Sequence, residues 1–183
     1  MKNQTLSERI KQPGDDSTYI LSEDKVWNIL NELDKNVYEV IKKPKDLSKW
    51  FHNINRQKNE RTFWGIIPDF SIQRLDSKLK IFLEVKKQED KGNAHERACK
   101  HYTTQFTKSF KDFMFQNYDI KYNFHPFFTI FCDELATKKQ YTIKSEYFIE
   151  SDHYLNWADY NKDLFTNFLN KILSNFEESI EEI

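Results

Sequence analysis

Apolar positions along the chain follow two rhythms, and their alternation sets the expected architecture. From Ser22 onward, Val26, Trp27, Leu30, Leu33, Val37, Val40 and Ile41 recur at helical spacing; Ser22 suits the start and Pro44 bars continuation. This predicts a long first helix. A second, short helix is expected around Lys45 to Ile54, with Leu47, Trp50 and Phe51 on its apolar side. Residues 1 to about 20 lack a period and contain Pro13-Gly14, so they read as an arm or loop.

Two strand-like runs follow, roughly Phe63 to Gln73 and Leu79 to Lys87, with the turn-prone segment Arg74 to Lys78 between them. A long helix is predicted from about Asn93 to Phe115, burying a stripe of Ala98, Tyr102, Phe106, Phe110 and Phe113. The nearly unbroken apolar run from Pro126 to Cys132 then reads as a strand covered on both faces. Strand, helix, buried strand is a crossover unit. A further strand, Tyr141 to Ile149, and a last helix from about Asp159 to Phe176 complete an α/β fold, a mixed central β-sheet flanked by helices.

At 183 residues the chain fits one domain, and the expected unit is 1–183. With 38% apolar and 16% aromatic residues it reads as a soluble globular protein. No apolar run reaches bilayer length, and the opening MKNQTLSERIKQ is polar where a signal peptide needs apolar residues. The expectation is a cytoplasmic protein with no membrane partner. Cys99 and Cys132 fall in a predicted helix and strand and read as reduced and packed.

Charge changes the picture because it is uneven. The net charge is −1, yet from Lys78 to Lys111 nine Lys or Arg face four Asp or Glu, while from Asp133 to Ile183 the count is five against eleven. One surface can therefore attract phosphate while another repels it. A solvated helix face explains the same numbers equally well.

Spacing now isolates a candidate site. In Lys80 to Lys86, a period of two sets Ile81, Leu83 and Val85 on one face and Phe82, Glu84 and Lys86 on the other. If the preceding strand pairs through a turn at Asp76-Ser77, paired residue numbers sum to 153, so Asp69 faces Glu84 with Cα atoms about 4.5–5.5 Å apart. Adjacent carboxylates repel and call for a cation. Mg²⁺, which prefers a few carboxylate oxygens with water and phosphate, fits Asp69, Glu84 and the Val85 carbonyl, and Lys86 stands beside them to serve hydrolysis of a phosphodiester. The same Glu-x-Lys spacing also occurs at Glu23/Lys25 and Glu89/Lys91, so only its position on a strand sets this copy apart. The competing reading is a salt bridge of Lys86 with Asp69 or Glu84 on a polar sheet face.

Beyond the strand, Gly92-Asn93-Ala94-His95-Glu96-Arg97 sharpens the reading. The runs PDFSI, LEVKKQ and GNAHERACK, with Lys43-Pro44-Lys45 and Trp64-Gly65 before them, resemble the MunI and EcoRI group of type II restriction endonucleases, the MunI pattern more closely. The resemblance implies a PD…EXK restriction-endonuclease-like core, with Asp69, Glu84 and Lys86 as the catalytic trio. It implies Mg²⁺ dependence, a homodimer on a palindromic double-stranded DNA site, 5′ overhangs and a companion DNA methyltransferase. It also implies that Gly92, Asn93, Ala94 and Arg97 read an AATT core in the major groove, with Glu96 holding Arg97. Asn can pair bidentately with adenine and Arg can donate to purine acceptors, which agrees with this assignment. A capping box at Asn93 and Glu96 accounts for two of these positions without DNA. His95 and His101 are expected on the solvent or DNA side of their helix, with no catalytic role.

The chain departs from the MunI pattern in one respect. Only Lys87 to Lys91 separate the catalytic lysine from Gly92, where MunI-like enzymes carry a longer loop ending in an arginine that reads the outer C:G pair. Lys91 lacks the two-pronged guanidinium, so the expected site is AATT with little demand on flanking pairs; CAATTG is the alternative. Another nuclease on this scaffold, a repair nickase or junction resolvase, and a DNA-binding protein that does not cleave are the rival functions.

Overall fold

The computed structural model describes residues 15–45, 47, 67–87 and 94–181. The described elements are α1 (Asp15–Leu30), β1 (Tyr38–Lys42), β2 (Phe70–Arg74), β3 (Lys80–Lys86), α2 (Ala94–Cys99), a 3-10 turn (Lys100–Tyr102) and α3 (Thr104–Tyr118). They continue with β4 (Phe127–Cys132), α4 (Glu134–Thr137), α5 (Lys139–Phe148), β5 (Tyr154–Trp157) and α6 (Lys162–Glu181). The strands form one sheet in the order β1-β2-β3-β4-β5, antiparallel across the first three and parallel from β3 to β5. This is the expected mixed sheet flanked by helices.

The first helix departs from expectation at both ends. Helix α1 already runs at Asp15, and Ser22 lies inside it, buried, with its hydroxyl 2.7 Å from that of Tyr160. The helix stops at Leu30, and Val37, Val40 and Ile41 fall in the turn and strand beyond it. Asp34 makes the break: its carboxylate accepts the Asn36 N–H and its carbonyl accepts those of Val37 and Tyr38. Past this turn Tyr38 to Lys42, rich in aromatic and β-branched residues, pairs with β2 as an edge strand. Helical spacing persisted across a turn only by coincidence. Of the expected second helix only Lys45 and Leu47 fall within the described residues, and Leu47 joins the core.

In the β2–β3 hairpin, Phe70 faces Leu83, Ser71 faces Phe82, Ile72 faces Ile81 and Gln73 faces Lys80, every pair summing to 153. The expected register is the observed one. Strand β4, buried throughout, lies parallel to β3 with Glu84 opposite Thr129 and Lys86 opposite Phe131. The crossover between them is broken where one long helix was expected. Thr103 takes an extended conformation (φ −73°, ψ 140°) and its hydroxyl caps α3 by accepting the Phe106 N–H. Phe110 of the expected stripe still packs edge-on to Phe82, with centroids 6.1 Å apart.

The segment from Tyr141 to Ile149 is not a strand. Tyr141 to Phe148 lie in α5, Ile149 is the extended residue that ends it, and the fifth strand is the short run Tyr154–Trp157. On one side of the sheet Trp27 stacks on Phe70 and Phe168 meets Phe128 edge-on, so α1 and α6 cover that face. On the other, Ala94 and Ala98 of α2 pack with Phe131, Leu135 and Ile149. No helix among the described residues is long and apolar enough to cross a membrane.

Candidate active site

Phe82, Glu84 and Lys86 share the face of β3 that meets α2 and α3. Phe82 is buried under Phe110 and Phe127, and the alternation then delivers Glu84 to the open end of the sheet. Asp69 lies one residue before β2, just past the last registered pair, Phe70 with Leu83, and lines the same cleft as Glu84. Its carboxylate takes over the ladder's role: Oδ2 accepts the Val85 N–H at 2.7 Å. The sheet end thus fixes the aim of Asp69. Asp69 is 7% exposed and Glu84 6%, so two acidic side chains are held out of water side by side.

Each is met by a lysine. The Lys86 ammonium bonds Glu84 Oε2, and the Lys43 ammonium bonds Asp69 Oδ1. Burial pushes the Glu84 carboxyl above its usual range, and the charge on Asp69 adds to this while Lys86 opposes it. Lys43 also pairs with Glu23 Oε1 at 2.9 Å. Burial alone would lower the Lys43 pKa, but the hydrogen bonds it donates to Asp69 and Glu23 outweigh this and hold the ammonium above its ordinary value. Lys100 is pushed the other way by burial, with Lys86 and Arg97 adding repulsion against the attraction of Glu84.

Of these groups Glu23, Asp69, Glu84, Lys86, Arg97 and Lys100 line one cleft of about 310 Å³, and Lys43 touches it through Asp69 and Glu23. It brings together Asp69, Glu84, Val85, Lys86, Ala94 and Arg97 from the expected set, although Ala94 is itself buried. Lys91, Gly92 and Asn93 lie outside the described residues. Arg97 is exposed, whereas Glu96 pairs with Lys144 at 3.2 Å. Lys87, next to the trio, turns inward to Asp133 at 3.0 Å.

Two histidines contradict expectation. His95 and His101 are each 1% exposed and lie on the protein side of their segment. His95 stacks on Phe131, with centroids 4.9 Å apart, and bonds Ser145 Oγ at 2.8 Å. His101 stacks on Phe127, and burial, with Lys100 and Lys86 close by, depresses its pKa to about 3. Aromatic neighbours on a second strand recruit both rings, and these partners are invisible to spacing along one helix.

Sequence reasoning missed Glu23 and Lys100 as cleft residues, and Lys43 as the ammonium that pairs with Asp69 and Glu23. Glu23 belongs to a Glu-x-Lys pair dismissed for its lack of a strand. That pair does lie on helix α1, where Lys25 instead covers the Tyr160 ring at 3.5 Å, yet its glutamate still reaches the cleft. Among the described residues, Glu150, Asp152 and His153 have ligand atoms within 4.8 Å of one another, but they line a separate cleft of about 480 Å³. There His153 Nδ1 lies 2.8 Å from Asp152 Oδ1, in hydrogen-bond contact, and Glu150 is exposed.

Comparison with known proteins agrees with this architecture. The crystal structure of MunI restriction endonuclease in complex with cognate DNA matches with a TM-score of 0.60, covering 84% of this chain and 91% of that one at 21% identity, a likeness of fold. The type II restriction enzyme MunI of Mycoplasma sp is 32% identical over 87 residues, or 42% of this chain and 43% of the relative. The chain thus matches less than half the length of that curated relative. A family model described as type II restriction enzyme MunI matches residues 1–181, nearly the full length, and the chain belongs to this MunI family of type II restriction endonucleases.

Proposed function

We propose that the cleft at the end of β2 and β3 hydrolyses phosphodiesters of double-stranded DNA, with Asp69, Glu84 and Lys86 as catalytic residues and Mg²⁺ as cofactor. The observation that carries this reading is the buried pair Asp69 and Glu84, held side by side at an open cleft and each bonded to a lysine. Ionised carboxylates of this kind are hard oxygen donors, and their crowding is relieved by a small divalent cation. Asp69, Glu84 and the Val85 carbonyl would hold it. When bound, such a cation polarises a phosphodiester and lowers the pKa of a water. Lys86, on the same sheet face as Glu84, orients the attacking water and offsets charge growing on the phosphate. The Val85 N–H keeps Asp69 aimed throughout.

Arg97 lies across the cleft and is exposed, which suits base contact in a major groove; Lys91, Gly92, Asn93 and Ala94 complete the proposed reading segment. The relative solved with its cognate DNA supports a DNA partner. The active form is a homodimer, because a two-fold protein presents one centre to each strand of a palindrome. A methyltransferase of the same specificity protects the host's sites. The site is AATT, cut to leave 5′ overhangs. Lys87 supports this: it is spent on Asp133, which removes one more cation from the short loop that would otherwise read an outer pair.

Digestion of genomic DNA with Mg²⁺ and sequencing of the ends tests the reading. Expected are double-strand breaks at AATT with mixed flanking bases. A uniform C before and G after every site reassigns the specificity to CAATTG, while nicks, branched-only cleavage or binding without cuts overturn the restriction reading.

A further inference from the structure

Lys43 is held with unusual firmness for a surface lysine. Its backbone is left-handed (φ 52°), a conformation costly for any side chain with a Cβ, and its N–H donates to the Asp69 carbonyl at 2.8 Å. Strain of this kind persists where the surroundings enforce it. The main chain is therefore pinned to Asp69, while the flexible side chain bridges two carboxylates, Asp69 and Glu23. The ion-paired cluster holds three carboxylates, at Glu23, Asp69 and Glu84, against two ammoniums, at Lys43 and Lys86, a balance of 2 − 3 = −1.

We infer that Lys43 is a built-in cation that occupies Asp69 until a divalent ion arrives, and that Glu23 is the berth to which its ammonium withdraws. A divalent ion on Asp69 and Lys43 on the same carboxylate repel one another, so binding of the ion requires the ammonium to leave Oδ1. Glu23 Oε1 is already within 2.9 Å, and the Lys43 side chain is partly solvent-exposed, so withdrawal needs only rotation of the side chain. Asp69 does not collapse meanwhile, since the Val85 N–H retains Oδ2. Lys43 and Glu23 are thus positioning residues that set cation affinity from opposite sides. Lys43 competes with the ion, and Glu23 removes the competitor.

The inference rests on the proposed cation centre, and the test separates the two. Mg²⁺ is titrated into the full chain without DNA, by calorimetry and by the cation-induced shift of the unfolding midpoint. The set comprises the natural chain, Lys43→Met, Glu23→Gln, the double variant and Asp69→Asn. Lys43→Met should tighten Mg²⁺ about fivefold or more, and Glu23→Gln should weaken it by a similar factor, the lower end of coupling between sites. In the Lys43→Met background Glu23→Gln should have no effect, because no ammonium remains to be berthed. If Glu23→Gln weakens binding equally in both backgrounds, Glu23 is itself a ligand and the inference fails. Unchanged or weaker binding in Lys43→Met also overturns it while leaving the cation centre intact. Should Lys43→Met not fold, Lys43→Gln takes its place in the same double-variant comparison, and Glu23→Gln binding equal to the natural chain removes the berth. Absence of Mg²⁺ binding in the natural chain, or binding unaffected by Asp69→Asn, defeats the centre and the inference together.

Discussion

At the scale of single residues, the site is a balance between burial and charge. Asp69 and Glu84 are nearly inaccessible, so each depends on its lysine, and removing a partner leaves an uncompensated buried charge. Asp69→Ala, Glu84→Ala and Lys86→Ala are expected to lower cleavage by about a hundredfold or more while circular dichroism stays native, because their shared task lies at the phosphate. Rapid cutting by purified Glu84→Ala would remove this centre from contention. Arg97 acts on a different quantity. Arg97→Ala should cost about 1–3 kcal/mol against cognate DNA and clearly less against random DNA. Equal weakening on both, measured at one salt concentration, would make Arg97 a phosphate contact.

At the scale of elements, the break at Thr103 turns one expected helix into two and places Lys100 and His101 at the cleft. The Thr103 hydroxyl satisfies the Phe106 N–H that would otherwise be unpaired at the start of α3. Thr103→Ala should therefore destabilise the chain by about 1 kcal/mol, and Thr103→Ser should restore most of that loss. For a chain of this size the alanine variant should lower the unfolding midpoint by about 2–4 °C. An unchanged midpoint would show that tertiary packing alone sets the break. In helix α5, too, packing overrides local preference. Its aromatic and β-branched residues read as a strand, but Ser145 and Tyr141 meet His95 of α2, a contact that helical geometry permits.

At the scale of the whole molecule, the buried His101 and the half-buried His125 join the core's stability to pH. Burial holds the pKa of both His101 and His125 down to about 3, against 6.5 when free. Below about pH 6.5 the unfolded chain binds protons that the folded chain refuses. Their contribution is therefore present above the free value and is lost as pH falls toward about 3. The unfolding midpoint should decline steadily over that window, and His101→Phe, which keeps the stack on Phe127, should flatten the decline. A slope unchanged in His101→Phe would exclude this ring as a source of acid sensitivity.

What the sequence determined was local and periodic. Alternation in Lys80 to Lys86, a turn centred on Asp76-Ser77 and the apolar run of β4 were enough to give the hairpin register and the parallel crossover, and with them Glu84 beside Asp69. A period of two and a fixed turn leave a strand little freedom, because a slip by one residue exchanges its faces. Only the tertiary structure decided which contacts came from elsewhere in the chain. Tyr38 to Lys42 became a strand because β2 offered an unpaired edge, and His95 and His101 turned inward because β4 supplied aromatic rings. Glu23 and Lys43 joined the site because α1 and the end of β1 converge on Asp69. Such pairings join residues tens of positions apart, and no spacing along the chain encodes them.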